Sequence, residues 1–164
     1  MTLGLLLDKR KVRAAARSMH QFCPIVRLLF PEDADSEVVE ASTVFLYEQL
    51  AQTVFGKRFV QAMRAEWSGT FKFATATETA MRVARINRLA GDFTKIAQEE
   101  QGSRTAGDFT DHVRGVIRSL LSEAGYRNDD PELIRETFPR FDHAVRRIKS
   151  HLTGIKEQNH FIMN

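Results

Sequence analysis

Apolar residues recur along most of the chain at intervals of three, four and seven, the spacing that places side chains on one face of an α-helix. The first such face lies between Leu5 and Phe22. Pro24 follows it, and a residue before proline is disfavoured in the α region. We therefore expect Pro24 to hold Cys23 outside the helical conformation and to end the first helix there.

A second and longer apolar face spans Val38 to Trp67 with a period near 3.6. Asp35 or Ser36 stands just before it, where a side-chain oxygen can accept a hydrogen bond from a free amide of the first turn. Gly56 interrupts the pattern and predicts a kink or a split in this helix.

Thr75 and Glu78 form a capping-box pattern, which predicts the start of a third helix. Gly102 follows the last apolar position and closes the segment. The apolar spacing gives this helix a predicted inward face of Val83, Ile86, Ala90, Phe93 and Ala97.

Two further helices are predicted in the remainder of the chain. The apolar face from Val113 to Leu121 indicates a fourth helix, and Pro131 after an aspartate is typical of the first position of a fifth. Pro139 lies inside that last helix, so either the helix begins again there or it carries a kink.

No segment alternates apolar and polar residues between hairpin turns, and only 71–73 is ambiguous. The sequence therefore predicts an all-α, single-domain helical bundle of about five or six helices. We expect one domain over 1–164, divided into an N-terminal basic helix and turn at 1–30, a main bundle at 35–155 and a tail at 156–164.

Composition supports an ordinary globular protein, because the 164 residues are 43% apolar and 27% charged. Cys23 is the single cysteine, so no intramolecular disulfide can form, and a reducing compartment is favoured. No apolar run approaches the length of about 20 residues that spans a bilayer. We therefore predict a cytoplasmic protein without a membrane partner.

The net charge of +3 is modest, but charge alternates in sign along the chain. Residues 1–30 carry six Lys and Arg against one acid, whereas 31–55 carry six acids and no Lys or Arg. Neighbouring antiparallel helices could use this alternation to select partners. A basic patch that attracts polyanions is equally compatible with it.

Motifs for common enzymatic chemistry are missing from the sequence. Asp108 and His112 share a helix face, and Asp142 precedes His143, but neither the H-E-x-x-H zinc motif nor paired Glu-x-x-His motifs occur. No G-x-S-x-G elbow and no glycine-rich phosphate loop occur either. We predict no metal, no cofactor and no identifiable catalytic group, which favours a protein that is not an enzyme.

A basic ridge is the most distinctive charged feature of the third helix. Arg82, Arg85 and Arg88 lie three residues apart, so their guanidinium groups can stand side by side. Such groups bind phosphate well, and the ridge is our candidate nucleic-acid-binding surface. The alternative is that these arginines are solvated or pair with the acids of 32–48.

Arg146 and His151 are separated by four residues, a spacing that resembles the R-x(4–6)-H signature of HEPN-type helical ribonucleases. The resemblance covers those two positions. It implies a metal-independent ribonuclease in which Arg and His of two protomers face each other across a dimer cleft, and it requires dimerisation through the last helix. The alternative is an exposed helix end whose cations suit the helix dipole.

Three functional hypotheses follow from the sequence. The first is a non-enzymatic interaction protein, regulatory or adaptor in role, that binds a protein partner or forms a homodimer. The second is a nucleic-acid-directed protein, either a binder through the basic ridge or a ribonuclease. The third is a ligand or cofactor sensor with a pocket in the bundle core.

Overall fold

A computed structural model describes residues 7–71, 73–103 and 131–158, with side chains for all of these except 96–103 and 131–138. These residues form α-helices and one 3₁₀ helix, with no strand among them, which confirms the predicted all-α class. The elements are α1 (Lys9–Ser18), the 3₁₀ helix (Met19–Phe22), α2 (Cys23–Arg27), α3 (Ser36–Phe55), α4 (Lys57–Ser68), α5 (Ala76–Ser103) and α6 (Pro131–Glu157). None of the described helices is both long and apolar enough to cross a membrane.

Helix α3 is the centre of the bundle. Every residue from 41 to 48 is buried, because α3 contacts α2, α4, α5 and α6 around its circumference. A helix whose sides are mostly apolar is stable only inside a core. Tyr47 is one of its fully buried side chains, and its hydroxyl donates to the backbone oxygen of Ala15 in α1 at 2.5 Å.

Gly56 splits the long apolar segment into two helices, which is one of the two predicted outcomes. Its φ of +99° lies in the left-handed region that favours glycine, and this single residue connects α3 to α4. The chain reverses there, since Arg64, eight residues after Gly56, pairs with Glu48, eight residues before it, and α4 packs back along α3. The rings of Phe55 and Phe59 stack at 3.8 Å beside Gly56.

Helices α5 and α6 both run parallel to α3. Arg82 of α5 lies near the start of α3, at Glu37, whereas Phe93 packs against Phe45 further along. On α6, the Lys156 ammonium donates to the backbone oxygen of Val54 at 2.9 Å, near the end of α3. The bundle is therefore built from one buried helix with parallel and antiparallel neighbours.

Capping groups appear where the sequence placed them. The Asp35 carboxylate accepts from the Glu37 amide at 3.0 Å, and the Thr75 hydroxyl accepts from the Glu78 amide at 3.0 Å. The Glu78 carboxylate lies 3.8 Å from Arg82, so this side chain takes part in an ion pair. Both side-chain caps satisfy amides that have no partner within the first turn.

The prediction for Pro24 was wrong. Cys23 has φ −54° and ψ −45°, which is α-helical, and Pro24 lies in the first turn of α2. The regular α1 helix already ends at Ser18, and a 3₁₀ turn carries the chain onward. Proline is tolerated in a first turn because its missing N–H has no helical acceptor there, so the helix restarts at Cys23 with Pro24 in its first turn.

The later predicted faces are partly described. Ile86, Ala90 and Phe93 are buried, and Val83 is half-buried, as the periodicity indicated, whereas the side chain of Ala97 lies outside the described residues. The predicted face from 113 to 121 also lies outside them. Helix α6 continues through Pro139 without a new start, which leaves the kink as the remaining sequence alternative.

Trp67 anchors the end of α4 in the core. It is the single tryptophan of the chain and its side chain is 0% exposed. Its ring meets Phe71 edge to face at 5.5 Å, and Phe71 meets the ring of His20 at 4.3 Å. This cluster ties the connection after α4 to the 3₁₀ helix.

Candidate functional site

The basic ridge of α5 is engaged by an acid of α3. Arg82 Nε lies 3.3 Å from one oxygen of Glu37, and Arg85 Nε lies 3.0 Å from the other. The Arg82 guanidinium also lies over the Phe73 ring, 3.9 Å from its centroid. Arg88, the third member of the ridge, is exposed.

The contacts around Glu37 balance charge without well-aligned hydrogen bonds. Arg82 Nε and one oxygen of Glu37 are both buried, and neither has a hydrogen-bond partner among the described residues. Glu40 lies one turn further along α3, where burial raises the pKa of its carboxyl, Arg82 opposes that effect, and Glu37 and Asp35 add to it. Two arginines of the ridge thus pair with the acidic segment, as the alternative interpretation of the sequence allowed.

Arg146 and His151 point away from each other on α6. Five positions along an α-helix correspond to about 140° around its axis. Arg146 is exposed, whereas the His151 ring packs edge to face on Phe22 at 5.3 Å, and its Nδ1 lies 3.5 Å from the Gln21 amide nitrogen. Burial lowers the pKa of His151, which favours the neutral ring. One chain does not bring these two side chains together.

Among the described residues, the remaining candidate groups form no metal-binding cluster. No group of three or more His, Cys, Asp and Glu side chains that could hold a metal occurs within 7–71, 73–95 and 139–158. The pair Asp108 and His112 lies outside the described residues. Burial raises the pKa of the Cys23 thiol despite its hydrogen bond to Thr43, so Cys23 stays protonated near neutral pH.

A polar groove opens between α3, α4 and α5, and the sequence analysis did not identify it. Its volume is about 470 Å³, which lies within the usual range for small-molecule sites. We define the polar groove by its lining residues Glu48, Arg64, Asn87, Ala90, Gly91, Thr94 and Lys95.

The ion pair of Glu48 and Arg64 is part of this groove. Arg64 donates to the two carboxylate oxygens of Glu48 from Nε at 2.8 Å and from Nη2 at 3.2 Å. The Glu48 side chain is 7% exposed and that of Arg64 is 54% exposed. The hydrogen bond to Glu48 raises the pKa of the Arg64 guanidinium, although burial opposes it.

One exposed side of α6 forms a shallow depression of about 490 Å³. Arg146 and Lys149 lie at one end of it, Glu157 lies at the other, and small residues lie between them. We define the α6 face as Arg146, Lys149, Ser150, Thr153, Gly154 and Glu157. His151 is not part of this surface.

Comparisons with known proteins give the chain no family. No protein-family model matches it, no curated protein is significantly similar to it, and no solved structure matches it. The resemblance to HEPN-type ribonucleases therefore stays confined to Arg146 and His151.

Proposed function

We propose that the protein acts by association, as a non-enzymatic interaction module that forms a homodimer through the α6 face. The observation that carries this proposal is the arrangement of that face, with cations at one end, an anion at the other and small residues between. Such a surface is complementary to an antiparallel copy of itself. A regulatory or adaptor role fits a protein whose contacts are carried by helix faces.

The spacing along α6 matches a twofold axis. In an antiparallel pair whose centre lies between His151 and Leu152, Arg146 lies opposite Glu157 of a second copy. The same register puts Lys149 opposite Gly154. Each of these contacts then occurs twice, once from each copy, as an isologous interface requires.

The small residues of the α6 face are expected to determine the distance between the two α6 helices of the dimer. Ser150 and Gly154 are exposed, and nothing lies within 4 Å of the position that a Cβ at Gly154 would occupy. Side chains of this size allow two helix axes to approach to about 8 Å. The exposed Arg146 and Glu157 add only about 0.5 kcal/mol per pair, so they select the register more than they determine affinity.

The expected dimer is weak. One pair of helices buries less than the roughly 1,600 Å² of a standard protein interface, which places it among transient complexes. We therefore expect a dissociation constant on the order of 10 µM. A dimer of this strength changes its population over ordinary changes in concentration, which suits regulation by a partner that binds the same face.

Charge reversal on the α6 face tests the proposal. Sedimentation velocity over a concentration series is expected to show dimers for the native chain, and about tenfold weaker dimerisation for Arg146→Glu or Glu157→Arg, because each reversal creates two like-charge contacts. The double variant with both changes restores attraction. Arg147→Glu is the matched control, since Arg147 is exposed but lies outside the α6 face.

Two results would contradict this proposal. One is a native chain that stays monomeric throughout the concentration series. The other is a loss of dimers in Arg147→Glu as large as that in Arg146→Glu, or no recovery in the charge-swapped double variant. Either would show that α6 does not pair in this register.

The nucleic-acid hypothesis has less support from the described contacts, because Arg82 and Arg85 already pair with Glu37. It stays a prediction that the same samples can test. Salt-dependent comigration with a mixed RNA pool, lost in Arg88→Glu, would favour a binder. Loss of RNA cleavage in His151→Ala with binding retained would favour the ribonuclease.

A further inference from the structure

Glu48, which pairs with Arg64, is one of two buried glutamates of the central helix α3, the other being Glu37. Taking a carboxylate out of water carries a penalty that a single ion pair offsets only when its geometry is good, and an apolar pair of similar size is often equally stable. Here the geometry is good, and the arginine remains more than half exposed. The pair therefore holds a cationic group at the wall of a groove.

Arg64 retains binding capacity after it has paired with Glu48. A guanidinium can hold carboxylates along more than one edge, and the hydrogen bonds to Glu48 use Nε and Nη2. Nη1 takes no part in those two hydrogen bonds. Arg64 lines the polar groove, and its side chain is 54% exposed.

The charge of the groove selects the class of ligand. Among the lining residues that the structure describes, Arg64 and Glu48 cancel each other, and the ammonium of Lys95, which is exposed on α5, leaves one positive charge in excess. A monoanion neutralises that excess, whereas a phosphate dianion leaves a net negative site. Asn87 adds an amide that can donate or accept a hydrogen bond.

The groove has room beyond its charged groups. Ala90 and Gly91 form part of its lining, and nothing lies within 4 Å of the position that a Cβ at Gly91 would occupy. Thr94 donates its hydroxyl hydrogen to the backbone oxygen of Ala90 at 2.9 Å, which leaves its oxygen as an acceptor toward a ligand. A ring or short apolar chain can therefore lie along α5 beside the charged end.

From this arrangement we infer that the polar groove is a binding site for a small organic monocarboxylate. The ligand carboxylate pairs with Arg64 and Lys95, and its apolar part lies over Gly91. This site is separate from the α6 face, and binding does not require dimerisation.

The test uses the full chain with benzoate as the probe, followed by two-dimensional ¹⁵N NMR. We expect saturable shifts of the Gly91 and Lys95 amides with a dissociation constant on the order of 1 mM, as suits a ligand of this size. Lys95→Met is expected to weaken binding about tenfold. Gly91→Leu places a side chain in open space and abolishes binding, while its melting temperature checks that the fold is kept.

Matched probes and a matched variant make the result decisive. Benzamide has the same shape without charge, and phenyl phosphate has the ring with a dianion. Lys57→Met removes an exposed lysine at the start of α4, away from the groove lining, and is expected to bind benzoate as the native chain does.

The inference is overturned if benzoate gives no saturable shift of these amides. It is also overturned if benzamide or phenyl phosphate binds at least as tightly, since the site would then not select a monocarboxylate. If Lys57→Met and Lys95→Met weakened benzoate binding equally, the effect would come from the net charge of the protein and not from a site at Lys95. None of these outcomes depends on the state of the α6 face.

Discussion

Glu37 and Glu48 are two buried glutamates on the same helix that are neutralised in different ways. Glu37 lies in the first turn of α3, where the helix dipole favours an acid, and two guanidinium groups approach it from α5. Glu48 lies in the middle of α3, and its one ion-pair partner among the described residues is Arg64, held by two directed hydrogen bonds. The negative charge of Glu37 is balanced by two arginines and the helix dipole, whereas that of Glu48 is balanced by one arginine.

This difference indicates where the bundle is sensitive. When charge is shared, removal of one cation leaves another, together with the dipole of the helix N-terminus. When it depends on a single arginine, the same change leaves a buried carboxylate without its ion-pair partner. The number of partners, more than the depth of burial, should therefore decide how much each arginine contributes.

The largest effect is expected for Arg64→Met. Loss of one partner from a buried pair typically costs about 3–5 kcal/mol, but half-exposed Arg64 allows water to replace part of the contact, so we expect a loss of about 2 kcal/mol in the free energy of unfolding. Urea denaturation measures it. Arg58→Met, at an exposed position of α4, is the control. Adding Glu48→Gln should recover much of the loss. An Arg64→Met variant as stable as Arg58→Met would contradict the expectation that the charge of Glu48 is balanced by a single partner.

Smaller effects are expected at the Glu37 cluster. Arg82→Met should lower the free energy of unfolding by about 1 kcal/mol, because Arg82 is 28% exposed and also covers Phe73, and Arg85→Met by about 0.5 kcal/mol, because Arg85 is 56% exposed. The same denaturation series ranks all three variants. If Arg85→Met lowered the free energy of unfolding more than Arg64→Met does, a second cation at Glu37 would not compensate for the loss of the first.

The smallest effect concerns Glu40, which lies near Glu37 and Asp35 at the start of α3. Burial raises the pKa of its carboxyl in the folded state, so ionisation at rising pH penalises folding, and the penalty disappears below the ordinary glutamate pKa of about 4.3. Glu40→Gln should therefore raise the melting temperature slightly at pH 7 and not at pH 4. Glu66→Gln, an exposed change on α4, should give no such pH dependence. A gain that persists at pH 4 would show that charge is not its cause.

Local features of the fold could be predicted because their causes are local. Asp35 and Thr75 cap helices through amides only two and three residues away, and the apolar period identified the buried side of α5. The prediction from Pro24 was wrong because it used a local preference alone. The effect of Pro24 on the preceding residue is a preference, and packing around the 3₁₀ turn allows Cys23 to be helical.

The polar groove was not predicted because it depends on how the chain reverses. Glu48 stands eight residues before Gly56 and Arg64 eight residues after it, so the two meet only if Gly56 is a turn. The sequence left a kink and a split equally open. The pairing of Arg82 with Glu37 was available as one alternative, but only the parallel packing of α5 on α3 selects it.

The buried position of Trp67 makes its intrinsic fluorescence a probe of the bundle. An indole that is completely buried against Phe71 should emit at shorter wavelengths than it does in water, and it is the single tryptophan in the sequence. The Phe71 ring in turn contacts His20 of the 3₁₀ helix. The emission of Trp67 follows the docking of the segment after α4 on the 3₁₀ helix. Fluorescence can thus follow loosening of this corner separately from the loss of helix observed by circular dichroism.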